Sequence, residues 1–67
     1  MPARTLAMNL KQLRLQHNLT QAEVAKRAKV SQAYVAQLET GAERNPKLDT
    51  LRRLAKALKC KVSDLVD

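Results

Sequence analysis

The chain has 67 residues, with 13 Lys+Arg against 6 Asp+Glu and a formal net charge of +7. A chain of this size buries only about 60% of the surface its unfolded form exposes, so it builds one thin core and one domain. Its 45% apolar content makes it globular rather than disordered, and Tyr34, its one aromatic, is no stacking platform for single-stranded nucleic acid or RNA. Residues 1–5 lack periodicity and hold Pro2, so they read as a flexible N-terminal arm; Met8 offers a second starting point. Leu6, Leu10 and Leu13 then recur at helical spacing. They predict a first helix from Leu6 or Asn9 to His17, with Asn18 as a left-handed stop.

Thr20-Gln21-Ala22-Glu23 matches the capping box, in which the first hydroxyl and the last carboxylate each take the other's backbone N–H. A second helix follows over about residues 21–28, with Val24, Ala25 and Ala28 inward. Ser31 offers a fresh N-cap, which predicts a third helix over about 32–40, stopped by Gly41. Residues 42–47 form a polar loop, since Asn45 before Pro46 is disfavoured in a helix. Leu48, Leu51, Leu54, Ala55 and Leu58 mark a fourth helix. Val62, Leu65 and Val66 form a last short helical turn, with Ser63 as its expected cap. No segment alternates with period two, so the fold class is all-α, one domain over residues 6–67. Helix, tight turn, helix at residues 21–40 is the helix-turn-helix shape.

The inventory excludes much. Cys60 is the one cysteine, so there is no intrachain disulfide, and one His with one Cys cannot build a zinc site. Neither a carboxylate dyad nor a nucleophile–base pair can be assembled, so no enzyme, metal or cofactor is expected. Gly41 alone cannot make a glycine-rich phosphate loop. The longest apolar run, Ala33 to Ala36, is far too short for a membrane span, which predicts a cytoplasmic protein. The positive excess points to a polyanion, either nucleic acid or an acidic membrane surface. Every leucine stripe has a neighbouring helix to pack on, which disfavours a membrane-surface helix.

Stepping by about 100° per residue, Gln32, Ala33, Ala36 and Gln37 share one face of the third helix, opposite Val35 and Leu38. Glutamine bonds adenine N6 and N7 bidentately in the major groove, and alanine brings the backbone close to base edges. An ordinary soluble helix with a neutral face is the plainer reading. Gln21 begins the second helix, whose N-terminal amides suit a phosphate.

Leu19 to Ala25, Val30-Ser31-Gln32 and Gln37 to Gly41 together resemble a known family, the Cro/phage-repressor type of helix-turn-helix, also called the xenobiotic-response-element family. The resemblance runs on through Asn45 to Leu51 and Leu54 to Leu58, and covers about Leu10 to Val66. It implies a five-helix, repressor-like domain that binds double-stranded operator DNA, usually as a dimer, and so a nucleoid-associated protein. By position, Gln32, Ala33, Ala36 and Gln37 would face bases. Thr20, Gln21, Thr40, Arg44, Asn45 and Lys47 would lie near phosphates. Tyr34 would reach a phosphate or pack at the rim. Arg14 and Glu39 would form a structural ion pair.

Departures from the family pattern are informative. Lys29 and Lys59 stand where the family often has glycine, at a cost of roughly 1 kcal/mol each if the backbone is left-handed. Lys29 then either reaches DNA or is simply solvated. Lys47 stands where a Ser or Thr cap is usual. Cys60 reads as a small core residue. Arg52, Lys56 and Lys59 line one face of the fourth helix, as a solvated face or as long-range attraction for DNA.

The reading is therefore a transcriptional regulator, a repressor acting as a weak dimer on a palindromic operator. No dedicated oligomerisation segment follows Leu65, so the expected dimer patch is Val62, Leu65 and Val66. The alternatives are an antitoxin that binds a toxin protein and a restriction-modification controller.

Overall fold

The helix corners follow from single residues. In the computed structural model, which describes residues 2–66 with side chains from Leu6 onward, five helices run in order. They are α1 (Pro2–Gln16), α2 (Gln21–Ala28), α3 (Gln32–Thr40), α4 (Leu48–Ala57) and α5 (Val62–Val66). There is no strand among the described residues.

Three of the turns share one closure. Asn18, Lys29 and Lys59 are left-handed, with φ of 56°, 60° and 54°. The residue after each donates its N–H five positions back: Leu19 to the Arg14 carbonyl, Val30 to Ala25 and Cys60 to Ala55, at 3.0, 3.0 and 2.9 Å. This is the Schellman closure, which satisfies carbonyls that the helix end leaves over. Gly41 ends α3 at φ 86°, where a side chain would strain the backbone. Glu43 N–H then bonds the Gln37 carbonyl at 3.0 Å and opens a wider loop.

α2 packs on α3 and α4, α1 packs on α3 and α5, and α4 also meets α5. The core takes fully buried side chains from every helix region: Leu10, Val24, Val35, Leu38, Leu54, Leu58 and Leu65. Asn9 ties α1 to α5 by donating its Nδ2 to the Leu65 carbonyl at 3.0 Å. Cys60 packs half-buried against this core, as its apolar character suggests, and burial raises its thiol pKa, with Asp64 adding to the shift.

Three expectations change. α1 starts at Pro2, earlier than the leucine spacing indicates, and takes in most of the stretch expected as an arm. Proline suits the first helical position because its missing N–H has no partner there anyway. Ser63 lies inside α5 and does not cap it. The Asp64 carboxylate instead reaches back out of the helix and accepts the Lys61 amide at 2.9 Å, the reverse half of a capping box. Leu65 is fully buried, so the expected dimer patch loses its central residue. Of that patch Val62 is half-buried and Val66 is 39% exposed.

Candidate nucleic-acid interface

The position of α3 is set from both ends. At its start the Ser31 hydroxyl accepts the Tyr34 amide at 3.0 Å, as an N-cap serine should. Val35 and Leu38 are fully buried and hold the inner face against α1 and α2. That leaves Gln32, Ala33 and Gln37 exposed on the outside, with Ala36 half-buried between them. The outer face carries no charge.

At the far end Glu39 anchors α3 to α1. Its carboxylate takes Arg14 Nε at 2.6 Å and Arg14 Nη2 at 3.0 Å, a two-pronged contact between groups 11% and 4% exposed. The bond to Glu39 raises the guanidinium pKa, against the pull of burial. Arg14 Nη1 also donates to the Leu19 carbonyl at 2.9 Å, which fixes the turn into α2. Gln21 Nε2 donates to Glu39 Oε1 at 3.2 Å. The ion pair is therefore the centre of a network that joins α1, α2 and α3. Gln21, expected at a phosphate, spends one amide proton inside this network and keeps the second. The family resemblance implied the pair but gave no sign of the third member.

The start of α2 has free donors. Thr20 Oγ1 accepts the Glu23 amide at 3.1 Å, and the Glu23 carboxylate accepts the Thr20 amide at 2.8 Å. These bonds hold the exposed Glu23 carboxyl below its ordinary pKa, the backbone bond first. The box satisfies two of the four first-turn amides, and those of Gln21 and Ala22 are left for an external acceptor.

The loop after α3 gathers the rest. A cleft of about 480 Å³ lies between α3, the loop and α4, lined by Ser31, Tyr34, Glu43, Asn45, Lys47 and Arg53 among others. It brings Tyr34, Asn45 and Lys47 together at one corner of α3. Burial is the main cause of a raised Tyr34 pKa, Glu43 raises it further, and Arg53 works against this. The phenol thus keeps its proton at neutral pH and is available as a donor. Lys47 precedes α4 without a side-chain cap bond, since its ammonium has no acceptor to offer the helix amides. Glu43 is an acid within this cleft, and its carboxylate accepts the Asn45 amide at 3.1 Å. Thr40 and Arg44 are partly engaged elsewhere. The Thr40 hydroxyl donates to the Gln37 carbonyl at 3.2 Å, and Arg44 Nε donates to the Gly41 carbonyl at 3.1 Å.

Residues 10–65 match the helix-turn-helix family model. The chain belongs to the helix-turn-helix family. Among relatives, it is 37% identical over 62 residues to the immunity repressor protein of Bacillus phage phi105. That match covers 92% of this chain and 42% of the repressor, so the chain spans less than half of its relative's length. Solved helix-turn-helix structures superpose closely. The restriction-modification controller protein C.AhdI from Aeromonas hydrophila is 27% identical, with a TM-score of 0.88 over 94% of each chain. The clp gene regulator ClgR from C. glutamicum is 26% identical, with a TM-score of 0.86 over 97% of this chain and 83% of that one. No helix among the described residues is long and apolar enough to cross a membrane.

Proposed function

We propose that this helix-turn-helix chain is a regulator of transcription that binds double-stranded DNA at a specific sequence. The observation that carries the reading is the outer face of α3. It is uncharged and built from exposed Gln32, Ala33 and Gln37 with half-buried Ala36 between them, while donors stand at its flanks. In this reading α3 enters the major groove and the two glutamines read bases. The free amides of α2 and the second Gln21 proton meet one phosphate. Tyr34, Asn45 and Lys47 meet another across the loop cleft, and Thr20, Thr40 and Arg44 lie within reach of the same strands. Phosphate contacts set register, and base contacts give specificity.

Two copies on a palindromic operator would place two α3 helices about one DNA turn apart. With Leu65 in the core, the dimer contact draws on Val62, Val66 or other exposed apolar residues such as Leu48, which is 55% exposed. So small a contact forms firmly only when DNA holds both copies. Such a protein acts in the cytoplasm on the nucleoid. Its likeness to a phage immunity repressor supports repression. The match to C.AhdI over nearly the whole of both chains supports a second reading, a controller of a restriction-modification system. A methyltransferase gene beside this one favours the controller, and a toxin gene favours the antitoxin alternative.

Gln32→Ala tests the reading directly. It should cost about 1–3 kcal/mol on the preferred site and relax one base preference. An equal loss on every duplex sequence would remove Gln32 from the reading face. Sedimentation on operator DNA tests the dimer, and a strict monomer there overturns it.

A further inference from the structure

A second cleft, of about 380 Å³, lies between the C-terminal ends of α2 and α4. Arg27, Lys29, Arg53, Lys56 and Lys59 line it, with Ala57 as its apolar part. No carboxylate lines it, and none of the residues assigned above to bases or to phosphates does so.

Its charge is cancelled only in part. Arg53 Nε lies 3.3 Å from the exposed Asp49 carboxylate but has no hydrogen-bond partner, although it is sealed from solvent. Glu23 acts on Arg27 only at longer range. The two helix ends supply about half a negative charge each, so even with both acids counted the cleft keeps an excess of roughly two positive charges.

The two left-handed lysines add a separate observation. Lys29 and Lys59 hold φ of 60° and 54°, where glycine rests without strain. Both turns thus carry a strained cation in place of an unstrained glycine, and both cations line this one cleft. Two arginines and three lysines around an open concavity suit phosphate oxygens, which guanidinium takes in pairs and ammonium takes as a point charge.

We propose that this cleft is a second anion site that binds oligophosphate, a run of two or more adjacent phosphate groups. The run comes either from a free polyphosphate chain or from DNA backbone beyond the half-site. The site is independent of base reading by α3.

Titration calorimetry on the full chain with inorganic tripolyphosphate tests it. The wild type should bind, and the double variant Lys29→Gly with Lys59→Gly should bind at least tenfold more weakly. That variant should also melt at a higher temperature, because glycine relieves both left-handed turns, so lost binding cannot be put down to unfolding. Lys11→Ala, an exposed lysine of α1 that lines neither cleft, should leave tripolyphosphate binding unchanged. Equal binding by the double variant overturns the proposal, and so does an equal loss in Lys11→Ala. A DNA arm separates the sources. If backbone is the ligand, lengthening a selected duplex by flanking base pairs strengthens binding by the wild type but not by the double variant. If a free chain is the ligand, the extension changes nothing and tripolyphosphate binds the protein on the short duplex. Affinity for the short duplex should be the same in both proteins, which keeps this test apart from that of α3.

Discussion

Removing the Glu39 carboxylate should unfold much of this protein. In Glu39→Ala, Arg14 loses both of its carboxylate bonds while staying only 11% exposed, and it keeps only the Leu19 carbonyl as a partner. Gln21 Nε2 loses its acceptor as well. Breaking a buried pair from one side costs about 3–5 kcal/mol, because the remaining charge is left uncompensated. A 67-residue chain has roughly 3–10 kcal/mol in total at 0.05–0.15 kcal/mol per residue, so one substitution takes a large share of it. Urea unfolding followed by circular dichroism measures the change. The partner experiment removes both charges. Arg14→Met with Glu39→Leu should cost much less than Glu39→Ala alone, because no buried charge is then stranded. A loss below about 1 kcal/mol in Glu39→Ala would refute the argument, since that is the range of a surface pair.

Other outcomes follow from the same structure. Lys59→Gly should stabilise the chain by up to about 1 kcal/mol by relieving the left-handed backbone, a rise of some 4–8 °C in the melting temperature for a domain this small. A lower melting temperature would mean that the side chain gives more than the strain takes. Lys47→Ala should reduce the salt slope of DNA binding by about 1, read from affinities at several salt concentrations, and an unchanged slope removes Lys47 from the phosphate contacts. Glu23 has a lowered folded-state pKa, so its stabilising effect is complete above the ordinary glutamate value of about 4.3 and fades as pH falls through the lower folded value. Glu23→Gln should therefore flatten that acid limb of the stability curve. An acid limb identical to the wild type's would show that the capping carboxylate is not its source.

The helices were legible because their signals are local. Leucine spacing, the Thr20–Glu23 box, Ser31 and Gly41 each act within a few residues, and each stands where expected. The ends of the chain were less legible. Pro2, in a stretch without leucine periodicity, reads as a break, yet it fits the first turn of α1. At α5 the cap expected of Ser63 is absent because the helix already begins at Val62, and the Asp64 carboxylate reaches back to the Lys61 amide. The misplaced dimer residue has a tertiary cause. Val62, Leu65 and Val66 look alike in sequence, and only the packing of α5 on α1 and α4 buries Leu65.

The candidate interface divides the same way. The neutral face of α3 follows from helical periodicity and is exposed as expected. The bond from Gln21 to Glu39 joins residues 18 positions apart, so no local rule reveals it. The basic cleft was half visible. Lys29, Lys56 and Lys59 stood out as cations, but the outer-face pattern on α4 suggested Arg52, whereas it is Arg53 that lines the cleft. Its other wall comes from α2, which the α4 pattern cannot show.

The central claim is that α3 reads a DNA sequence through its glutamines. Selection of bound duplexes from a random pool, run side by side on the wild type and Gln32→Ala, tests it most directly. The wild type should enrich one site, and the variant should enrich the same site with its preference relaxed at a single base position in each half. Failure of the wild type to enrich any sequence, or identical preferences in the two proteins, would contradict it.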